Sequence, residues 1–239
     1  MKTYTSFQEL DALGEGLAKK YTGNTHRWNS SCFDIEGFVT DFLKLPILYE
    51  AFAENDPSKI GFLSDGATPL IVYRGGKKTP VVFPKDTIVI ERYLQCSDES
   101  GRRRFTLAHE AAHFILNRHV PTQTACFHND YDHEFNYSGE ELSKMFSLNE
   151  SLTNRLGAAV LMPLFLVARA LKKYNNGQPI VYYTEGVFAP DTKIKLQSMS
   201  DALGVSYSAL INRLRELKLL DCRPIEEYID HSLFPEGSI

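Results

Sequence analysis

The chain has 239 residues, 43% apolar and 23% charged, the composition of an ordinary globular protein long enough to bury a substantial core. Its 26 Lys plus Arg against 30 Asp plus Glu give a net charge of −4, which argues against coating nucleic acid by bulk charge. The polar stretch Met1 to Tyr21 is not expected to act as a secretory signal, no apolar run nears the ~20 residues a membrane span needs, and four scattered cysteines (Cys32, Cys96, Cys126, Cys222) form no CxxC pair, so a cytoplasmic protein without a membrane segment is expected.

From the N-terminus, Phe7, Leu10, Leu13 and Leu17 recur at helical spacing, as do Ile35, Phe38, Val39 and Phe42 after the candidate caps Ser31 or Asp34. Between Leu45 and about Arg92, short β-branched and aromatic runs alternate with turn signals such as Asp65-Gly66 and Gly75-Gly76. The runs Ile47–Tyr49, Ile60–Leu63, Leu70–Tyr73, Val81–Phe83 and Thr87–Ile90 predict a small antiparallel sheet. A helix from Asp98 or Ser100 to about Arg118 follows, then a polar stretch from Pro121 to Ser138. Helices are expected over Glu140–Leu161, Leu164–Tyr174, about Thr192–Leu203 and Ser206–Leu217, with Pro163 as a break and an extended piece after Gly177.

The chemistry lies in His109-Glu110-Ala111-Ala112-His113, an HExxH within the predicted helix. A four-residue step advances about 400°, so both imidazoles occupy one face and can share a metal. Glu110 is one step round, where its carboxylate can act on water instead of ligating. In a chain with 7 histidines, a chance match is on the order of one in a hundred.

A catalytic zinc wants a third protein ligand and an open position. His119 stands six residues after His113, but the position three past His113 is Leu116, where a sharp turn off the helix would favour glycine. Cys126, His128 and His133 in the polar stretch are a second source, or a second site. The favoured source is Glu150 on the next long helix, with Asn154 one turn on to accept the far N–H of a ligand histidine; Glu140 and Glu141 read as a solvated helix start.

Arg103-Arg104-Phe105-Thr106-Leu107-Ala108-His109-Glu110 resembles the signature of the ImmA/IrrE family of zinc metallopeptidases, and Glu150, Asn154 and Ala158-Ala159-Val160-Leu161-Met162-Pro163 resemble its second block. Counting back thirteen residues from Pro163 reaches Glu150, the position of the family's third zinc ligand. Ala112 and Leu156 stand where the family usually has glycine and phenylalanine, and the interval from His113 to Glu150 is longer than usual. The resemblance implies an α+β, zincin-like fold: a small antiparallel sheet on the HExxH helix, then a helical C-terminal part. It divides the chain into a peptidase domain, 1–190, with an insertion at 119–148, and a helix-turn-helix-like region, 191–239. It also implies a bacterial or phage cytoplasmic enzyme that uses Zn2+ to cut a protein partner, a Xre-type transcriptional repressor.

Three further features bear on partners. Around Gly204-Val205-Ser206 the last helices carry Lys193, Lys195, Arg213, Arg215 and Lys218 against Asp201 and Glu216, but acidic residues after Leu219 favour packing or partner docking over DNA contact. Arg102, Arg103 and Arg104 begin the HExxH helix, where its dipole disfavours cations; they read as a solvated run, as partners of insertion acids, or as a clamp for a substrate carboxylate. The strand Thr87–Ile90, last before the helix, is the expected rim for an extended peptide. The rival reading is a non-catalytic zinc-containing regulator that binds DNA or a repressor without cutting; a small-molecule metallohydrolase is a third.

Overall fold

The computed structural model describes residues 6–56, 59–119 and 139–233, which form two compact units. The first holds residues up to Asn29 and from Phe33 to Pro163, the second Ser30–Cys32 with everything from Leu164. The expected helical tail from residue 191 lies within the second unit. Among the described residues no single helix is long and apolar enough to cross a membrane.

In the first unit, α1 (Phe7–Thr25) starts at a capping box in which Ser6 and Glu9 satisfy each other's backbone N–H. A short turn, α2 (Ile35–Gly37), is capped by Asp34 and continues as a π-helical turn over Phe38–Phe42. Here the rings of Phe33, Phe38 and Phe42 gather around Tyr21 of α1.

Five strands follow: β1 (Ile47–Glu50), β2 (Gly61–Leu63), β3 (Leu70–Arg74), β4 (Lys77–Val81) and β5 (Ile88–Glu91). β3 and β4 form an antiparallel hairpin. The expected strand Val81–Phe83 lies earlier, because Lys77-Lys78-Thr79-Pro80 pairs despite its unstrandlike sequence; β4 is an edge, where proline is tolerated. The central sheet has the order β1-β5-β2 and is mixed where an antiparallel one was expected, since β5 runs antiparallel to β2 but parallel to β1. Residue pattern reports which face is buried, not strand direction, and 37 residues between β1 and β5 give ample chain for the return that a parallel pair requires.

A second correction follows from this order. β5, with Ile88, Val89 and Ile90 wholly buried, is the central strand and cannot be the peptide rim. The open edge nearest the HExxH helix belongs to β2. Glu91 N–H donates to the Ile60 carbonyl and Ser64 N–H to the Thr87 carbonyl, so residues 60, 62 and 64 face β5 while the backbones of Gly61 and Leu63 face outward.

Two long helices complete the unit: α3 (Ser100–His119) and α4 (Gly139–Leu161). α3 buries Leu107, Ala108, Ala111, Ala112, Phe114, Ile115 and Leu116, packing under β2 and β5 and against α4. α4 buries Leu156 and the run from Ala158 to Leu161. Its other neighbour is α1. The three arginines opening α3 are not a free charge run. Arg103 pairs with Glu36 at 3.2 Å, Arg104 donates to the Phe33 carbonyl, and the Arg102 guanidinium lies over the Tyr93 ring. They tie the start of α3 to neighbouring segments, which offsets their unfavourable place on the dipole.

The second unit consists of α5 (Leu164–Asn175), β6 (Ile180–Tyr183), α6 (Pro190–Leu203), α7 (Tyr207–Glu216), β7 (Leu220–Arg223) and α8 (Ile225–Leu233). Gly204 ends α6 in the left-handed conformation and Ser206 caps α7, as the sequence pattern suggested. β6 and β7 pair in parallel around this helix pair. Arg213, counted among the basic residues, is 1% exposed and bonded to Glu216 at 3.1 Å.

Candidate metal centre

α3 carries His109, Glu110 and His113 into the region between the sheet and α4. Because the two histidines are four residues apart, their rings stack edge to face with centroids 4.6 Å apart and Nε2 atoms 3.0 Å apart. α4 brings Glu150 to the same point: Oε2 lies 3.4 Å from His109 Nε2 and Oε1 3.6 Å from His113 Nε2. Among the described residues this is the group of His, Cys, Asp and Glu whose donor atoms converge, all within 4.8 Å of one another.

The far side of each ring is engaged as well. His109 Nδ1 is 2.9 Å from Asn154 Oδ1, and His113 Nδ1 is 3.3 Å from Thr153 Oγ1. The amide oxygen can only accept, so His109 donates through Nδ1–H and its Nε2 presents a lone pair to the group. Two imidazole lone pairs and a carboxylate facing one another repel unless a cation lies between them. Nitrogen and oxygen ligands at about 2.0–2.2 Å from a tetrahedral zinc stand about 3.4 Å apart, close to the separations found here. The donor set fits such an ion. Burial pulls His109 down, but the hydrogen bond with Glu150 and the charges of Glu110 and Glu150 outweigh it and hold the imidazole above its ordinary value.

Glu110 lies outside the converging trio. It is 6% exposed and accepts the outward-facing N–H of Leu63 from β2. Desolvation pushes its carboxyl up to about 7, against the opposing pull of His109. The edge strand therefore lies directly on a buried carboxyl adjacent to the donor group.

The sequence singled out His109, His113, Glu150 and Asn154, and the fold brings all four together. His119 ends a helix that continues past Leu116, which puts position 119 about 240° round α3 from position 113. Its side chain, those of Glu140 and Glu141, and residues Cys126, His128 and His133 lie outside the described residues. Thr153 was missed, although its place three residues after Glu150 is a helical-face signal of the same kind as Asn154's. Gly61 was missed too. A methyl group there would meet the Glu110 carboxylate, a contact 49 residues away along the chain that no local pattern announces.

Compared with family models, residues 87–215 match the IrrE N-terminal-like domain, Peptidase_M78, a span from β5 through both ligand-bearing helices into α7. Compared with curated proteins, the chain matches none.

Proposed function

The chain belongs to the IrrE N-terminal-like peptidase family, Peptidase_M78, and from that premise we propose that it is a zinc-dependent endopeptidase whose base is Glu110 and whose ligands are His109, His113 and Glu150. The observation that carries this reading is the carboxyl of Glu110. It sits beside the donor group without joining it, buried and held by the Leu63 N–H, one residue from a ligand histidine, where a carboxylate can act on a water instead of ligating. A merely structural metal site has no use for such a group and closes all four coordination positions with protein.

Bound zinc supplies Lewis acidity toward the scissile carbonyl and a water nucleophile at neutral pH. The chain's own groups do the rest. Glu110 removes the water's proton and delivers it to the departing amide nitrogen. Asn154 holds His109 by its Nδ1–H, so that the ring does not turn during the reaction. The open edge of β2 offers the Gly61 N–H and carbonyl and the Leu63 carbonyl to an extended peptide, which would lie beside Glu110 as an added strand, the Leu63 N–H being held by Glu110.

Backbone pairing discriminates little between sequences, so selectivity falls to docking of a folded partner. In line with the ImmA/IrrE resemblance, that partner is a helix-turn-helix repressor of the Xre type, cut once in a flexible linker, inside the cytoplasm. The test is zinc analysis together with cleavage of the repressor encoded beside the gene. The intact chain should carry about one zinc; His109→Ala and His113→Ala should lose it; Glu110→Gln should keep it and cut nothing. Zinc retained by Glu150→Ala but lost by His119→Ala would move the third ligand. An intact chain that binds zinc and the repressor yet leaves it whole would favour the non-cutting regulator.

A further inference from the structure

A ligand imidazole gives one nitrogen to the metal and must place the proton of the other; the partner of that proton sets both tautomer and ring angle. For His109 the partner is the Asn154 amide oxygen. His113 is the more enclosed of the two, 4% exposed, and its Nδ1 faces the hydroxyl of Thr153. Thr153 is fully buried, and its branched Cβ restricts the hydroxyl to few orientations. It follows Glu150 by three residues and precedes Asn154 by one, so one turn of α4 brings up a carboxylate and a partner for each imidazole.

We propose that Thr153 is a positioning residue: its hydroxyl accepts Nδ1–H from His113 and so holds the His113 Nε2 lone pair toward His109 Nε2 and Glu150. This rests on reading the His–His–Glu group as a metal site. Both partners are neutral, an amide and a hydroxyl, so neither adds a formal charge to the group. The ordinary alternative for a buried helical threonine is to satisfy its own hydroxyl on the preceding turn, as Thr106 does on the Arg102 carbonyl. In that case His113 would not depend on it.

The two roles separate experimentally. The probes are zinc under chelator competition and the visible spectrum of cobalt(II), with the full chain. Thr153→Val keeps the shape and removes the hydroxyl; it should weaken zinc binding about 10- to 100-fold and shift the cobalt bands. Thr153→Ser keeps the hydroxyl and should stay within about threefold of the wild type. A Thr153→Val protein with wild-type affinity and spectrum overturns the proposal. Should that variant not fold, 15N shifts of His113 in the metal-free wild type decide: a ring protonated on Nδ1 supports the role, and one protonated on Nε2 alone overturns it. A wild-type chain that binds neither zinc nor cobalt overturns the metal reading beneath it, whatever the variants do.

Discussion

Gly61 of β2 and Glu110 of α3 are packed so closely that a methyl group on Gly61 would stand 2.5 Å from Glu110 Oε1 and 2.6 Å from Thr106 Cγ2. The carboxylate cannot simply swing aside, because Leu63 N–H on the same strand holds it. Gly61→Ala should therefore cost about 1–3 kcal/mol of stability by overpacking. It should also slow peptide cleavage at least about tenfold, since the base is displaced. The zinc content should not change, because the nearest atoms belong to Glu110 and Thr106 and not to the ligand group. Adding Thr106→Ser removes one of the two clashing atoms and should restore part of the stability. Denaturant midpoints, zinc analysis and rates read all three; wild-type stability and rate in Gly61→Ala would mean that the strand does not bear on the base.

The buried carboxyl of Glu110 also predicts how the metal-free protein responds to pH. Its folded value, about 7, lies above its ordinary 4.5, so the folded state favours the neutral form. That stabilisation is complete below about pH 4.5 and is lost as pH rises through 7. The stability of the metal-free wild type relative to Glu110→Gln should accordingly fall between pH 4.5 and 7, by an amount on the order of 3 kcal/mol. Urea unfolding of both proteins in the presence of chelator measures the difference. A difference that stays level across that window would show the carboxyl to be solvated or otherwise paired.

What the sequence disclosed about this site was what lies within one helical turn. HExxH fixes His109, Glu110 and His113 by local geometry, and Glu150 with Asn154 repeats the trick on α4. Thr153 obeys the same geometry at a three-residue step, but a threonine on a helix face carries no signal in the sequence that it faces a histidine on another helix. Gly61 and the position of β2 at the sheet edge depend on pairing across tens of residues. The parallel arrangement of β1 and β5 has the same origin: strands are recognised by alternation, and alternation is blind to direction. β7 and α8 look like an acidic tail in the sequence, because Asp221, Glu226, Glu227 and Asp230 dominate a segment with few core positions. The strand is held by backbone pairing with β6, which needs no particular side chains.

The ligand-bearing helix has a second support that can be tested apart from the metal. Asp11 of α1 accepts two N–H groups from the Arg155 guanidinium, one of them from Nε at 3.1 Å, with side chains 22% and 12% exposed. The same guanidinium lies 5.5 Å from the centre of the Phe7 ring. Beside this pair, Gly14 lets the helices close, since a methyl group there would come within 2.6 Å of Ala159 Cβ. A forked, half-enclosed pair is worth more than a solvated one but is still screened, so a double-mutant cycle with Asp11→Ala and Arg155→Met should give a coupling of about 1–2 kcal/mol. Arg155→Met alone should cost more than the coupling, because it takes the guanidinium away from a partly desolvated Asp11 and from the Phe7 ring. Zinc affinity should nevertheless stay within about threefold, because Glu150, Thr153 and Asn154 each contact His109 or His113 on α3 directly. Denaturation of the four proteins tests the first part: strictly additive losses would mean that the fork adds nothing to helix docking. Chelator competition tests the second, and a large fall in affinity in Arg155→Met would make α1 part of what holds the ligands in place.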